Sequence, residues 1–250
     1  MQVTLEQLLE AGAHFGHQTR RWNPKMAPYI YASHNGVHIF DLAKTRESLL
    51  VACDAVKKVV ASGGVVLFVG TKRQAKDFVT EAAKAVGMPY VTNRWLGGML
   101  TNFEQIRRSV KKLEDLRKGM AAGEFDSHTK KERILIDKEI ARLERILGGV
   151  ETLKKLPDLM FVVDTHEERL AVHEANMLGI PVVGIVDTNA DPTIIEYPIP
   201  ANDDAARSVE LLVEFAKESI EEGQGRGRDK DKESKKDKVK VKKSKIKNTI

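Results

Sequence analysis

The chain of 250 residues is long enough for one large domain, or for one domain with an appendage. No stretch approaches the roughly 20 apolar residues of a membrane-spanning helix, and the first residues lack the basic and apolar pattern of a secretory signal. The single cysteine, Cys53, excludes an intramolecular disulfide and a cysteine-based zinc site. We therefore expect a cytoplasmic protein that does not bind membranes.

The net charge of +5 is unevenly distributed. Residues 223–250 carry 12 Lys/Arg and 4 Asp/Glu, a balance of +8, which leaves 29 basic and 32 acidic residues in the first 222. A basic tail with few apolar residues predicts disorder in isolation and favours a polyanionic partner, although such tails also occur as solubilising extensions. Nucleic-acid contact by the remaining chain must then be local.

The predicted elements alternate between strands and helices. Asn35-Gly36 separates two short apolar runs and predicts a β-hairpin, after which Asp41 caps a helix that runs to about Val60. Four further apolar runs predict strands, at residues 65–70, 89–92, 159–164 and 181–187. Because most of these runs lead into helical patterns, they predict an α/β fold with a mostly parallel sheet and helices on both faces.

Residues 101–155 interrupt the alternation. Thr101 and Glu104 match a capping box at a helix start. Apolar residues then repeat at spacings of three and four in two successive segments: Phe103, Ile106, Val110 and Leu113, then Ile136, Ile140, Leu143, Leu147 and Val150. These narrow seams predict an antiparallel coiled-coil hairpin, whereas two helices lying flat on the sheet are the alternative.

Enzyme signatures are missing from the sequence. The G-x-G-x-x-G fingerprint, the phosphate-binding G-x-x-x-x-G-K-[ST] loop and the G-x-S-x-G elbow are all absent, and no nucleophile–base pair stands out. Six residues could assemble a cation site near the strand ends: His17, Asp164, Asp187, Asp191, Asp203 and Asp204. However, Asp is also common in turns, and no spacing fixes a metal geometry. We therefore predict no catalysis, cofactor, resident metal or small-molecule substrate.

Basic and aromatic residues cluster in two loop-like stretches, GHQTRRWNPKMAPYIY (16–31) and NRWLGGMLTN (93–102). Cations position phosphates, and aromatic rings stack on unpaired bases. Lys72 and Arg73 also lie where a helix start would attract an anion. Trp22 and Trp95 could equally pack in the protein, so their role stays open at this level.

The same stretches carry a resemblance to a known family. FGHQTRRWNPKM, FVGTKRQA, RWLGGMLTNF, VDTNADP and the block from Pro157 to Asn189 together resemble the bacterial ribosomal protein S2 family. The resemblance covers residues 3–220. It implies a discontinuous Rossmann-like domain at 1–100 and 156–222 with a coiled-coil hairpin inserted at 101–155. The tail at 223–250 has no matching counterpart.

The resemblance also implies a function in translation. It predicts a non-catalytic constituent of the small ribosomal subunit that binds small-subunit ribosomal RNA, helps dock the messenger-binding ribosomal protein S1, and lies near other small-subunit proteins. RNA contact is carried over onto Arg20, Arg21, Trp22, Asn23, Lys25, Lys72, Arg73, Arg94, Trp95 and Asn102. The alternative is a nucleotide- or metabolite-binding enzyme of Rossmann type.

Overall fold

The computed structural model describes residues 3–225, so the predicted disorder of the tail lies outside the described residues except at 223–225. The strands are β1 (Phe15–Gln18), β2 (Ile30–His34), β3 (Val37–Phe40), β4 (Val66–Val69), β5 (Tyr90–Val91), β6 (Leu159–Val163), β7 (Val182–Val186) and β8 (Tyr197–Pro200). The helices are α1 (Leu5–Glu10), α2 (Leu42–Ala61), α3 (Lys76–Val86), α4 (Phe103–Ala121), α5 (Lys130–Leu147), α6 (Arg169–Met177) and α7 (206–225). Within this part of the chain, no helix is long and apolar enough to cross a membrane.

The central sheet has the strand order β5-β4-β6-β7-β8, and every neighbouring pair is parallel. Alternate side chains of each strand point to opposite faces, so β4 directs Phe68 towards α2, α3 and α7 and Leu67 towards α4, α5 and α6. Two separate apolar clusters form in this way, one on each face. The predicted α/β class, with a parallel sheet and helices on both faces, is confirmed.

A small antiparallel sheet of order β1-β3-β2 precedes the central sheet. Asn35 and Gly36 join β2 to β3 with positive φ angles of 51° and 76°, as the predicted tight hairpin requires. Asp41 then accepts a hydrogen bond from Ala43 N and caps α2, also as predicted. This small sheet carries His17 to the end of β7, where His17 N donates to Thr188 Oγ1 over 2.8 Å.

Strand β8 is absent from the sequence-based prediction. Its sequence, YPIP, contains two prolines, which cannot donate to a sheet ladder. β8 lies at the margin of the sheet and pairs only with β7, so the missing donors are tolerated on its open side.

Helices α4 and α5 contact one another through Lys112–Glu139 and Arg117–Glu144 ion pairs of 2.9 and 2.7 Å. The apolar residues near the base of this pair belong to the same cluster as the sheet: Ile106, Val110, Leu113, Leu143 and Leu147. Farther out, Ile134 and Leu135 are exposed. The base of the helical pair is thus part of the domain core, and the coiled-coil seam remains a prediction.

Candidate nucleic-acid interface

The carboxyl ends of the parallel strands meet at one edge of the sheet, which we call the carboxyl edge. Lys72 and Arg73 follow β4, Arg94 follows β5, Asp164 follows β6 and Asp187 follows β7. Neighbouring strands lie about 4.8 Å apart, so five strands give an edge roughly 19 Å long. The topology therefore brings residues that are distant in sequence to one side of the molecule.

Lys72 lies in the middle of this edge and is neutralised by carboxylates of the same chain. Its Nζ atom lies 3.1 Å from Asp164 Oδ2, 2.7 Å from Asp203 Oδ1 and 2.6 Å from Asp204 Oδ1, and its side chain is 18% exposed. Burial alone would lower the pKa of Lys72, but the carboxylates outweigh burial and raise the pKa above its ordinary value. The charge of Lys72 therefore stabilises internal carboxylates, and its phosphate contact stays a prediction that these ion pairs disfavour.

His17 reaches the same carboxylates from β1. Its Nδ1 atom lies 2.9 Å from Asp187 Oδ1 and its Nε2 atom lies 3.5 Å from Asp204 Oδ2, and the contact with Asp187 raises the pKa of His17. Asp203 Oδ2 is buried and has no hydrogen-bond partner within residues 3–225. Burial, reinforced by Asp187 and Asp164, raises the pKa of Asp203 to about 8. The raised pKa of Asp203 reflects how closely these acidic groups are packed.

Part of this cluster has the composition of a metal site. Ligand atoms of His17, Asp187 and Asp203 lie within 4.8 Å of one another. One imidazole nitrogen with two carboxylate oxygens suits a transition metal such as zinc better than magnesium. Asp191, which the sequence placed in the same possible set, instead forms a 2.6 Å ion pair with Lys25. The three side chains could hold a divalent cation, although the ion pairs of the cluster already neutralise it in part.

The loop between β5 and α4 folds around an internal carboxylate. Within residues 3–225, Glu174 of α6 accepts five hydrogen bonds from this loop. Oε1 accepts from Trp95 Nε1 at 3.1 Å and from Gly98 N at 2.8 Å. Oε2 accepts from Leu100 N at 3.0 Å, and from Thr101 N and Thr101 Oγ1 at 3.1 Å each. The loop is thus an anion cradle whose anion belongs to the protein.

This arrangement corrects one sequence-based expectation and bears on a question that the sequence left open. Thr101 does not cap α4, because its hydroxyl donates to Glu174. Asn102 is the N-cap residue instead, and its side chain makes no capping bond. Trp95 is only 7% exposed and lies in the same apolar cluster as Leu67. Its ring therefore packs in the core and is not available for base stacking in this conformation.

The basic segment at residues 20–25 lies beside the end of β7. Asn23 N donates to Thr188 O over 2.7 Å, and the Asn23 side chain accepts from Lys25 N, which fixes the turn. Trp22 is 37% exposed, and its ring lies 4.9 Å from that of His38. Trp22 is therefore supported on one side while part of its surface stays open.

The residues predicted to contact RNA differ in how far they are exposed. Trp95 is buried, while Asn23 and Lys72 are half-buried. Lys25 is exposed but paired with Asp191. The exposed remainder comprises Arg20, Arg21, Trp22, Arg73, Arg94 and Asn102. They lie on two flanks of the carboxyl edge, which we call the β5 flank (Arg73, Arg94 and Asn102) and the β7 flank (Arg20, Arg21 and Trp22).

Glu174 is the residue that the sequence-based reasoning missed. A signal was present, because Glu174 falls among Ala171, Val172 and Ala175, which are all buried. A carboxylate on the apolar stripe of a helix must find donors or lose its charge. The sequence shows this requirement but does not show which loop meets it.

Comparisons with known proteins cover this whole surface. The family model of ribosomal protein S2 matches residues 8–223. The small ribosomal subunit protein uS2 of Mycobacteroides abscessus is 51% identical over 221 residues, which make up 88% of this chain and 80% of that protein. The range matched by the family model includes both flanks, the carboxylates around Lys72 and the loop at residues 95–101 that donates to Glu174.

Proposed function

Because this chain belongs to the ribosomal protein S2 family, we propose that it is a structural component of the small ribosomal subunit and binds small-subunit ribosomal RNA through the two flanks of the carboxyl edge. One observation supports the proposed RNA contact. Arg20, Arg21, Arg73 and Arg94 are exposed, and none of them pairs with a carboxylate in the described part of the chain. Unpaired cations on a single edge suit a phosphate backbone.

The centre of the carboxyl edge does not favour phosphate. Asp164, Asp187, Asp203 and Asp204 surround Lys72 and His17, so acidic groups outnumber basic ones there. RNA contact is therefore confined to the flanks, where arginines provide charge and Trp22 offers a partly open ring.

The alternative of a nucleotide-binding enzyme receives no support from the same geometry. The cradle nearest to a phosphate loop is filled by Glu174, and Lys72 is held by internal carboxylates. Free nucleotide would have to displace one of these groups. We accordingly propose a non-catalytic role in the subunit and in translation.

Two further partners follow from the family alone. We propose that the chain helps dock the messenger-binding ribosomal protein S1, and that the α4–α5 pair extends as a coiled-coil arm to RNA or to neighbouring small-subunit proteins. No residue is assigned to S1. Its contact is tested by comparing the S1 content of small subunits assembled with and without this protein.

The RNA contact is tested by removing single cations from the β5 flank, with the removal of a cation at the far end of α3 as the control. Arg73→Gln should lower the affinity for small-subunit ribosomal RNA and reduce the slope of log K against log salt by about 0.7 to 0.9, since one phosphate contact is lost. Arg94→Gln should act alike. Lys84→Gln, at the other end of α3, is the matched control and should change neither quantity. Equal salt slopes for Arg73→Gln, Arg94→Gln and the unaltered chain would contradict the proposed interface.

A further inference from the structure

Glu174 accepts five hydrogen bonds from donors of the loop at residues 95–101. Both of its oxygens accept hydrogen bonds, and their donors are an indole N–H, a hydroxyl and three backbone N–H groups. The residue is 3% exposed, so water cannot replace these donors. A charged acceptor that meets several donors in a buried place fixes geometry more strongly than neutral contacts do.

The charge of Glu174 is retained in this place. Burial raises the pKa of the carboxyl, but hydrogen bonds from Thr101 and Leu100, with those from Trp95 and Gly98, outweigh burial and hold the pKa below its ordinary value. The loop therefore closes around a carboxylate at neutral pH, as a phosphate-binding loop closes around its ligand.

The loop at residues 95–101 has a residue of the β5 flank on each side. Arg94 directly precedes Trp95, and Asn102 directly follows Thr101. Both flanking side chains are exposed, while the Trp95 and Thr101 groups between them are tied to Glu174. The backbone positions of Arg94 and Asn102 are thus set by one internal anion.

We propose that Glu174 is the resident anion of the loop at residues 95–101 and is a positioning residue for RNA contact by Arg94 and Asn102. The second half of this inference rests on the proposed function. Holding a binding loop in its bound conformation raises affinity because less ordering remains to be done on binding. RNA phosphate does not enter the cradle, since the internal carboxylate occupies its donors.

The decisive experiment combines Glu174→Ala with rescue by formate. Truncation leaves the donors converging on a space that a small carboxylate fits. The chain has two tryptophans, so its ¹H–¹⁵N spectrum has two indole signals, and Trp22→Phe identifies that of Trp95. We expect Glu174→Ala to shift the Trp95 indole signal and to weaken RNA binding about tenfold. Sodium formate should restore both, whereas sodium chloride at equal ionic strength should restore neither.

Controls separate positioning from general damage. Glu167→Ala removes an exposed carboxylate in the turn that leads into α6 and should leave the indole signal and the RNA affinity unchanged. In an Arg94→Gln, Asn102→Ala background, adding Glu174→Ala should weaken RNA binding no further, because Glu174 acts through those two residues. If Glu174→Ala does not fold, Thr101→Val removes one donor and should produce a smaller change in the same direction.

Specific outcomes would overturn the inference. An unchanged Trp95 indole signal in Glu174→Ala, or rescue by chloride as effective as rescue by formate, would refute the anion site. A shifted signal with unaltered RNA affinity would refute the positioning role. If instead the unaltered chain binds no ribosomal RNA, the proposed function fails, while the formate experiment still tests the anion site by itself.

Discussion

Lys72 and Arg73 are neighbours in the chain but lie in opposite surroundings. Lys72 points into a group of carboxylates, whereas Arg73 is exposed and has no ion pair within residues 3–225. The sequence assigns both to phosphate, because VGTKRQAK looks like a helix start with two available cations. Local pattern cannot separate them, since the nearest acidic partner of Lys72, Asp204, lies 132 residues farther along the chain.

The two residues should therefore respond differently to the same substitution. Lys72→Gln leaves Asp164, Asp203 and Asp204 without their shared cation, and we expect the free energy of unfolding to fall by about 3 kcal/mol. Arg73→Gln should change it by less than about 0.5 kcal/mol. Urea denaturation followed by far-ultraviolet circular dichroism measures both. A loss for Lys72→Gln that also stays below about 0.5 kcal/mol would mean that the carboxylate cluster does not depend on Lys72.

Glu174 and Trp95 show how far residue-level prediction reaches. The sequence predicts RNA contact by residues of NRWLGGMLTN, and the structure shows that donors of this stretch bind the carboxylate of Glu174. The identity of the anion depends on tertiary contact between α6 and a loop more than 70 residues earlier. The same contact decides that Trp95 packs instead of stacking.

Among the elements, those with unambiguous periodicity were predicted. β4, β6 and β7 are continuous apolar runs buried on both faces, and Asp41 and Asn35-Gly36 are strong local signals. β8 was missed because its prolines oppose a strand assignment, and its place at the sheet margin becomes known only from the topology. Helices α4 and α5 were predicted, but their seam is uneven: Leu143 and Leu147 are buried, whereas Ile136 and Ile140 are partly exposed.

This unevenness indicates where the α4–α5 pair can be shortened. Replacing residues 118–141 by a short Gly/Asn turn removes the partly buried Ile140 but keeps the fully buried apolar residues that cover the sheet. We expect the melting temperature to change by less than about 4 °C, since little core is removed. Association with small subunits should weaken if the distal pair is a contact arm. Calorimetry and sedimentation with subunits provide the two measurements.

The full deletion of residues 104–150 is the comparison for that variant. It removes Ile106, Val110 and Leu113 from the cluster over β4, so we expect the cooperative melting transition to be lost. Loss of the transition in the shortened chain as well would show that the distal pair supports the domain. Undiminished association of the shortened chain would show that it is not a contact arm.

Across the whole molecule, charge is separated by region. Residues 1–100 and 156–222 carry 15 basic and 22 acidic groups, residues 101–155 carry 14 and 10, and residues 223–250 carry 12 and 4. The described end of α7 packs beside the ends of α2 and α3, where Gln224 Nε2 donates to Val86 O over 2.9 Å. This end lies at the amino ends of the strands, opposite the carboxyl edge. The first three residues of the predicted tail, 223–225, are thus helical.

Truncation after residue 225 should separate nonspecific attraction of RNA to the tail from RNA contact by the folded domain. The shortened chain has a net charge of −3 instead of +5. We expect binding to unrelated RNA to weaken and its salt slope to fall by about 0.7 to 0.9 for each tail cation that contacts phosphate. The melting temperature should stay unchanged. Filter binding over a potassium chloride series tests this, and an unaltered slope would assign all attraction to the described domain.

The Glu174 loop also has a consequence for the order of events during synthesis. Its donors precede Glu174 by 73 to 79 residues. At roughly 5 to 20 residues per second, the loop is translated about 4 to 16 s before its anion exists. Until then the hydrogen bonds that position Arg94 and Asn102 cannot form. A nascent chain is therefore expected to reach full affinity for RNA only after α6 has emerged and packed, which couples recognition to completion of the sheet.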